Sequence, residues 1–305
     1  MEEIKIFTVE DFYGERLDVY ISEKFQDFSR SAVQKIIKNQ KVKVNGKIEK
    51  PRYTVKLGDR LEVEIPKSSK IEIVPQDIPL NIIYEDEDLL IVNKEQGMVV
   101  HPGAGNYENT LVNALLFHTD GKLSTINEDD TRPGIVHRID KNTSGLLMVA
   151  KNDKSHIFLA DQLKEHSIKR EYQFICYGVV DEDHITVDRP IGRNPKDRLK
   201  MAVVEGGKNA ITHFEVIDRF DKFTHMKARL ETGRTHQIRV HANYIKHPLL
   251  GDNVYGHKKE KIKLNGQVLH AKKLGFVHPT TREYMEFDSE LPEYFRELLI
   301  KLKSM

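Results

Sequence analysis

Residues 134–151 read GIVHRIDKNTSGLLMVAK, and this stretch joins a charged turn to an apolar strand pattern. Residues 145–150 are apolar without interruption, which is typical of a strand covered on both faces. Just before them, Asp140 stands between Arg138 and Lys141, on a turn that carries Asn, Thr and Ser. An acid that is flanked by cations and attached to a buried strand is a candidate catalytic group. The alternative is a surface ion pair beside a turn.

The segments around this stretch alternate between short strand patterns and helical patterns. The strand patterns occupy residues 81–94, 170–180, 212–220 and 225–232, and the helical patterns occupy residues 109–119, 235–245 and 293–302. The regular strand–helix–strand order of a parallel α/β fold is not present. The sequence therefore predicts an α+β domain on a mostly antiparallel mixed sheet.

The composition is that of a soluble globular protein, since 39% of the 305 residues are hydrophobic and 31% are charged. No run approaches the roughly 18 consecutive apolar residues of a membrane helix. The acidic start MEEIKIFTVEDF lacks the basic and apolar segments of a signal peptide. The single cysteine, Cys176, excludes an internal disulfide and a multi-cysteine zinc site, and its apolar neighbours predict a buried thiol. We expect a cytoplasmic protein without a membrane segment.

The net charge of +1 hides a strong asymmetry along the chain. Residues 30–60 contain ten cations and two acids, a net charge of +8, so the remaining residues carry −7. A basic block on an otherwise acidic protein favours a polyanionic partner, because phosphates are attracted over long distances. The alternative is a solvated, lysine-rich face that only keeps the protein soluble.

The basic block belongs to a predicted small α+β domain over residues 1–66. In the segment SRSAVQKIIKNQ, Val33, Ile36 and Ile37 share one face of a helix, and the cations fall on the opposite face. The segment KVKVNGKIE then gives a strand and a turn. Residues 67–79, rich in proline and polar residues, are predicted to be a linker to a large domain over residues 80–305.

This small domain resembles the RNA-binding domain named after small-subunit ribosomal protein S-four. The matching segments are RLD at 16–18, SRS at 29–31, VKVNG at 42–46 and GD at 58–59. Gln40 departs from the pattern, because a glycine is expected before the basic strand. The resemblance implies RNA binding by the basic face, for which we predict contacts from Arg30, Lys35, Lys38, Lys41 and Lys43.

Asp140 lacks the partners that most aspartate chemistries require. Position 142 is Asn142, which removes a paired aspartate for phosphate transfer, and the string VHRID comes without the Gly-rich loop and DFG triplet of kinases. Glycosidases need two carboxylates, and the nearby candidate, Glu171, follows thirty-one residues later. One cysteine cannot build the zinc site of a deaminase. We interpret His236 and His241 as structural or RNA-facing groups rather than metal ligands.

What remains is an isolated carboxylate that is kept ionised by cations. A neighbouring guanidinium favours the charged form, and such a carboxylate can attack an electrophilic carbon or remove a proton without a metal or cofactor. Arg138, two residues before Asp140, offers a planar cation with five donors. It can reach into a nucleic-acid stack from which an unpaired base has been removed.

The motif HRIDKNTSGLLMVAK resembles the active-site motif of the RluA-type RNA pseudouridine synthases, the family that contains RluC and RluD. The likeness continues through KREYQF (169–174), RPIGRNPKDRLKMAV (189–203), EGGKNAITHF (205–214), LETGRTHQIRVH (230–241), HPLLGDNVYG (247–256) and LHAKKLGFVHP (269–279). It covers nearly the whole of residues 80–295, and the S-four-like domain is the usual appendage of the RluC and RluD branch.

Two positions depart from this family's pattern. Glu95 and Gln96 stand where the family has Pro-Ala, and this change is expected to loosen a loop near the site. Ile139 replaces the usual Leu, which conserves the side-chain volume.

The resemblance implies the pseudouridine synthase fold and the isomerisation of uridine to pseudouridine in RNA. The base flips out, the bond from ribose C1′ to uracil N1 breaks, and the uracil rejoins through C5. Asp140 is then the catalytic aspartate, and Arg239 is the cation paired with it. Tyr172 matches the tyrosine that stacks on the flipped uracil and can take the C5 proton. Whether Asp140 attacks C1′ or removes a ribose proton stays open.

Four further residues are implied to bind the substrate. Arg138 matches the residue that fills the gap left by the flipped uridine. Leu269 matches the apolar residue that lines the uracil pocket, although a plain core position explains it nearly as well. Arg234 and Lys200 are predicted phosphate contacts. The resemblance calls for no metal and no organic cofactor.

The implied partner is RNA. Members with this appendage usually modify large-subunit ribosomal RNA, so that RNA is favoured, while transfer RNA stays open and the target uridine is not named. We expect a monomer. A non-catalytic RNA-binding or ribosome-assembly factor is the alternative function, but it leaves Asp140, Tyr172 and Arg239 without a role. A uracil-releasing glycosylase is a third hypothesis, and it would leave an abasic ribose.

Overall fold

The computed structural model describes residues 3–10, 14–25, 30–65, 73–103, 105–127, 129–197, 200–257 and 262–304. The chain divides into two compact units, Met1–Lys70 and Ile71–Met305. The predicted domain boundary at residue 66 lies outside the described residues and stays a prediction. Within the described ranges, no helix is long and apolar enough to cross a membrane.

The first unit is a four-stranded antiparallel sheet with two helices. Its elements are β1 (Glu3–Thr8), α1 (Leu17–Lys24), α2 (Arg30–Lys38), β2 (Val42–Val44), β3 (Lys47–Ile48) and β4 (Arg60–Ile65). The strand order is β1-β4-β2-β3. Val33, Ile36 and Ile37 are buried in its core, as their helical spacing predicted.

A buried carboxylate ties the two helices of this unit together. Asp18 is fully buried and accepts hydrogen bonds from Arg16, Arg30 and Gln34. Burial alone would raise the pKa of Asp18, but these donors hold it at about 2. The aspartate of the RLD segment is therefore a structural anchor of the first unit.

Gln40 shows why a glycine is expected before the basic strand. Its φ angle is 61°, in the left-handed region that glycine adopts without steric cost. Gln40 keeps the turn that leads from α2 to β2, but its side chain makes this backbone conformation less favourable than it would be for glycine.

The second unit is built on one large sheet. Its elements are β5 (Ile82–Glu85), β6 (Leu89–Lys94), α3 (Leu111–His118), β7 (Ser144–Ala150), α4 (Asp153–Lys164), β8 (Lys169–Tyr177), β9 (His184–Asp188), β10 (Ile191–Arg193), β11 (Met201–Val203), β12 (Ile211–Arg219), β13 (Phe223–Leu230), α5 (Gln237–Tyr244), β14 (Leu269–Val277), β15 (Tyr284–Asp288) and α6 (Glu293–Lys303). Nine strands form the large sheet in the order β5-β6-β7-β14-β8-β13-β12-β9, with β15 also paired to β14. The β7–β14 pair is parallel and the other pairs are antiparallel, which confirms the predicted α+β class.

The strands β10 and β11 form a separate hairpin within the motif at 189–203, a segment without a strand pattern in its sequence. Each strand has three residues, which is too short for an alternating pattern to emerge from the charged residues around it.

The apolar run after Asp140 forms β7, and all seven of its residues are buried. Leu147 and Val149 pack into a core on one face of the sheet, while Leu146 and Met148 pack into a core on the other face. Burial on both faces is what the uninterrupted apolar run predicted. The single cysteine, Cys176, is also buried, and burial raises its pKa to about 12.

The start of β7 lies unusually close to β14. Gly145 has a φ angle of 114°, and a Cβ at this position would lie 2.3 Å from the carbonyl oxygen of Ala271. Glycine therefore allows the parallel contact between β7 and β14. Since β14 also pairs with β8, this contact brings the turn of Asp140 close to the strand that carries Tyr172.

The second half of the predicted linker contacts the second unit. The side-chain amide of Asn113 donates to the carbonyl oxygen of Val74 at 2.8 Å, and the backbone N–H of Gln76 donates to the Asn113 carbonyl. Ile73 packs against the larger core of this unit.

Candidate active site

Asp140 lies on a tight turn directly before β7. The backbone N–H of Thr143 donates to the Asp140 carbonyl at 3.0 Å, which closes the turn. The side chain of Asp140 keeps 20% of its surface exposed, so the carboxylate is accessible but largely shielded from solvent. A buried strand thus holds a partly desolvated carboxylate at its end.

The last residue of β6 connects this turn to the segment that follows β6. The ammonium of Lys94, 1% exposed, donates to the carbonyl oxygens of Glu95, Met98 and Lys141. Burial lowers the pKa of Lys94 to about 7, although the nearby charge of Asp140 raises it. Lys94 therefore links two backbone segments and fixes the residue that follows Asp140.

The departure at Gln96 strengthens this link, so the expected loosening of the loop is wrong. The side-chain amide of Gln96 donates to the carbonyl oxygens of Asn142 and Gln267, at 3.1 Å in each case. A Pro-Ala pair could not make these two hydrogen bonds. The amide of Gln96 joins the turn of Asp140 to the segment before β14.

Arg239 from α5 is the direct partner of Asp140. Its Nη1 donates to Oδ2 of Asp140 at 2.9 Å, and its Nε and Nη2 donate to the two carboxylate oxygens of Asp252 at 2.7 and 2.8 Å. Burial alone would lower the pKa of Arg239, but the two carboxylates, above all Asp252, raise it well beyond its ordinary value. The guanidinium thus stays charged while only 4% exposed, and it holds the Asp140 carboxylate in one orientation.

The local sequence TGRTHQ sets the start of α5. The side-chain oxygen of Gln237 accepts from the Thr232 hydroxyl and from the backbone N–H of Arg234, which pins the turn before the helix. His236 adopts a left-handed conformation with a φ angle of 59°. Its Nε2 lies 3.9 Å from Oδ1 of Asp140, and its Nδ1 lies 2.9 Å from the Tyr255 hydroxyl.

A cavity of about 510 Å³ opens beside Asp140, within the roughly 300–1,000 Å³ that is usual for small-molecule sites. Its walls include Tyr172, Arg239 and Leu269. Tyr172 is 7% exposed, and burial raises its pKa, so the phenol is protonated at neutral pH. A smaller cavity of about 300 Å³ adjoins it and shares Asp140 and Arg239. The site can hold a flat, polar group against a tyrosine ring, next to a carboxylate.

The predicted substrate contacts divide into two groups. Arg138 is exposed and lines both cavities at Asp140, and Arg234 and Leu269 line the larger one. Lys200, by contrast, lines a separate cavity of about 760 Å³, and its ammonium lies 3.8 Å from the Asp197 carboxylate. The structure does not bring Lys200 to the cavity of Asp140, and its phosphate contact stays a prediction.

Sequence reasoning missed several members of this site. Asp252 accepts two hydrogen bonds from Arg239, but its place in the motif HPLLGDNVYG had not suggested a role for it. His236 was interpreted as structural or RNA-facing, but its ring lies near the Asp140 carboxylate. Tyr255, three residues after Asp252, lies under the Arg239 guanidinium at 5.1 Å. Motif membership was the signal for Asp252 and Tyr255, whereas for Lys94 the only signal was its position at the end of an apolar strand.

Away from this cavity, three potential metal ligands lie close together. Asp86, Asp88 and His278 have ligand atoms within 4.8 Å of one another. His278 Nδ1 accepts from two backbone N–H groups, so its Nε2 carries the proton and donates to Asp86 at 2.8 Å. This pattern fits a hydrogen-bonded cluster, because a metal-bound Nε2 could not carry a proton.

The predicted RNA-binding cations of the first unit are not equivalent. Arg30 donates to the buried Asp18, and Lys41 forms an ion pair with Glu64. Lys35, Lys38 and Lys43 are exposed. Two of the five cations are thus partly neutralised by acids, and three extend from α2 and β2 into solvent.

A small basic domain thus precedes an α+β domain in which a guanidinium holds a single carboxylate on the wall of a cavity, which is the arrangement expected of an RNA-modifying enzyme. Residues 88–244 match the RNA pseudouridylate synthase family, and residues 15–61 match the S4 domain. The chain belongs to this family and is an RNA pseudouridine synthase with an S4 domain, as the motifs predicted.

Relatives match over almost the full length of the chain. The uncharacterized RNA pseudouridine synthase YlyB of Bacillus subtilis is 49% identical over 99% of this chain and 99% of its own length. The ribosomal large subunit pseudouridine synthase D of Zymomonas mobilis is 44% identical over 98% of this chain and 96% of its own. Among solved structures, human RNA pseudouridylate synthase domain containing 1 shares the fold, with a TM-score of 0.58 and 24% identity over 75% of this chain and 97% of its own.

Proposed function

We propose that this enzyme converts uridines of large-subunit ribosomal RNA to pseudouridine, with Asp140 as the catalytic group. The observation that carries the assignment is the Asp140 carboxylate, which Arg239 holds at 2.9 Å on the wall of a cavity that Tyr172 and Leu269 also line. The ribosomal substrate is supported by the names of relatives such as the Zymomonas mobilis enzyme. An enzyme for ribosomal RNA works where ribosomes are made, so we assign it to the cytoplasm.

The geometry serves either of two first steps. Asp140 attacks ribose C1′, or it removes a ribose proton, and in both cases the C1′–N1 bond breaks and its electron pair goes to N1. The detached uracil turns, C5 bonds to C1′, and the C5 proton is lost while N1 gains one. No atom is added or removed, so the isomerisation needs no co-substrate.

The neighbouring residues take distinct roles in this scheme. Arg239 keeps the Asp140 carboxylate oriented, and Asp252 keeps Arg239 in place. Tyr172 presents a buried ring on which uracil stacks. Its raised pKa favours stacking over the role of proton acceptor, because a neutral phenol does not take a proton. Arg138, exposed at the rim of both cavities, fills the space that the flipped uridine leaves in the RNA.

The test is a map of pseudouridines in ribosomal and transfer RNA from cells with the gene, without it, and with an Asp140→Asn allele. We expect at least one large-subunit site to lose its pseudouridine in the last two strains, with the RNA strands intact. Loss at a transfer RNA site alone would reject the ribosomal substrate. Identical maps in all strains, together with an inactive purified protein, would favour the non-catalytic assembly factor.

A further inference from the structure

A second buried guanidinium lines the cavity of Asp140, and it has no counter-ion among the residues that the structure describes. Arg170 is 7% exposed and lines the same cavity as Asp140 and Tyr172. Its Nη2 donates to the carbonyl oxygen of Glu231 at 2.9 Å, and its buried Nε has no hydrogen-bond partner. Within the described ranges, no carboxylate lies within 4.0 Å of this guanidinium.

Arg239 in the same cavity shows how unusual this arrangement is. Arg239 makes three hydrogen bonds to two carboxylates, whereas Arg170 makes one hydrogen bond to a neutral carbonyl. A buried cation without a counter-ion is costly to desolvate. The chain also makes room for it, because a Cβ on Gly233 would lie 2.6 Å from Nη1 of Arg170. An unpaired donor on a buried guanidinium that lines a cavity indicates a ligand with negative charge or a strong acceptor.

The order of residues along the cavity identifies the part of the substrate that meets Arg170. Burial is the main cause of the raised pKa of Tyr172, while the charge of Arg170 lowers this pKa and that of Asp140 raises it. The strand register places Tyr172 between these two charges: Tyr172 pairs with Ala271, beside the start of β7 that follows Asp140, and Arg170 pairs with Leu274, further along β14. If uracil stacks on this ring, the ribose side of the nucleoside faces Asp140, and the far edge of the base, with its carbonyl oxygens, faces Arg170.

The chemistry supplies the negative charge at that place. When the C1′–N1 bond breaks, its electron pair remains on uracil, and the charge spreads from N1 onto the O2 and O4 oxygens. This holds whether Asp140 attacks C1′ or removes a ribose proton. Uracil carries the charge until C5 bonds to C1′. A preorganised donor at a carbonyl oxygen is the usual means of stabilising such an anion in a water-poor site.

We propose that Arg170 binds a carbonyl oxygen of the detached uracil and stabilises its negative charge between cleavage of C1′–N1 and formation of C1′–C5. This inference rests on the proposed function of the Asp140 cavity. A phosphate contact is the less favoured role, because Arg138 is exposed and Arg234 is half-buried on the same cavity, and both reach an RNA backbone more easily.

The test compares Arg170→Gln, which removes the charge, with Arg170→Lys, which keeps a point charge. The matched control is Arg229→Gln, on the exposed face of the adjacent strand β13. Three quantities are measured on the full-length protein: the single-turnover rate of tritium release from [5-³H]uridine RNA, the RNA dissociation constant, and the thermal unfolding midpoint. The target RNA is one on which the wild-type enzyme forms pseudouridine.

We expect Arg170→Gln to slow the single-turnover rate about 10²-fold or more, with RNA affinity and unfolding midpoint near wild type. The rate of Arg170→Lys should lie between those of Arg170→Gln and wild type, and be at least about tenfold slower than wild type. The reason is that one ammonium cannot reach both the Glu231 carbonyl and the base. If Arg170→Gln does not fold, the rate of Arg170→Lys decides.

Three outcomes would overturn the inference. An unchanged rate in the folded variants removes the role of Arg170, and weaker RNA binding with an unchanged rate makes it a phosphate contact. If both variants are slower and both unfold at a lower temperature, to the same extent in each, Arg170 is a structural residue. These outcomes differ from failure of the proposed function, in which the wild-type enzyme itself forms no pseudouridine.

Discussion

The cations of the two units are held in opposite ways. Lys35, Lys38 and Lys43 of the first unit extend into solvent, whereas Arg239 and Arg170 of the second unit are 4% and 7% exposed. Exposed charges act over a distance of about 10 Å and are screened by salt. Buried charges act at hydrogen-bond range, and their effect depends on which atom each donor meets.

We expect this difference to separate RNA binding, in the first unit, from chemistry, in the second. The lysines of the first unit need no fixed geometry to attract a phosphate backbone, so a change in one of them alters affinity by a small factor. Arg239 has every donor group in contact with a carboxylate, so even the change to another cation disturbs the orientation of Asp140. The predictions below test this separation, beginning with the largest expected effect.

Replacing Arg239 with Lys should slow the single-turnover rate about 10²-fold or more, with RNA affinity within about threefold of wild type. One ammonium cannot hold both Asp252 and Asp140, so the Asp140 carboxylate loses its orientation. Tritium release from [5-³H]uridine RNA measures the rate. The same substitution at the exposed Arg229 is the control and should leave the rate unchanged. Equal rates for the two variants would erase the distinction between buried and exposed cations.

Acid should destabilise the second unit before the first. All fourteen histidines follow residue 70, and burial lowers the pKa of His225 and of His270 to about 4. Between pH 4 and the ordinary histidine pKa of about 6.5, the unfolded chain binds more protons, so stability falls as the pH falls through this range. Each of the two histidines should cost about 2 kcal/mol at pH 5.

Hydrogen-exchange mass spectrometry at pH 7 and pH 5, corrected for intrinsic exchange, reports on both units in the intact chain. We expect protection to fall in β13 and β14 while β2 and β4 keep theirs, because Asp18 stays ionised down to a pKa of about 2. Equal losses in both units at pH 5 would contradict this assignment of the acid-sensitive groups.

Replacing Lys94 with Met should lower the free energy of unfolding by about 2 kcal/mol, because the carbonyl oxygens of Glu95, Met98 and Lys141 lose their donor. Urea denaturation measures the change, and the exposed Lys35→Met is the matched control, with an expected change under about 0.5 kcal/mol. A Lys94→Met protein as stable as wild type would mean that the ammonium is not needed to join the two segments.

Replacing Lys35, Lys38 and Lys43 together with Gln should weaken RNA binding and reduce the slope of affinity against salt by about 2, if each lysine neutralises one phosphate. The rate at saturating RNA should not change. Lys122, Lys154 and Lys301, three exposed lysines of the second unit, give a control triple with the same change in charge. A salt slope that is equal in the two triples would remove the first unit from RNA binding.

The sequence predicted the elements whose signal is local. The uninterrupted apolar run predicted that β7 is buried on both faces, and the spacing of Val33, Ile36 and Ile37 predicted the buried side of α2. These patterns report which side chains avoid water, and they need no knowledge of distant contacts.

The arrangement of the site could not be read in the same way. Asp140 and Arg239 are 99 residues apart, and only family resemblance paired them before the fold was known. Asp252 and Arg170 each lie in a matching motif, but nothing in the local sequence showed that their charges are buried, because a buried charge looks like a surface charge until its neighbours are in place. For Gln96 the sequence suggested a looser loop, and the reason for the error is two hydrogen bonds to segments that lie far along the chain.

The most direct test of the account is the single-turnover rate of Asp140→Asn on a target RNA, measured beside its RNA dissociation constant. Asparagine keeps the size of the side chain and removes its charge, so we expect tritium release to fall about 10⁴-fold or more while affinity stays within about twofold. A variant that still releases tritium within tenfold of the wild-type rate would show that the carboxylate beside Arg239 is not the group that starts the reaction.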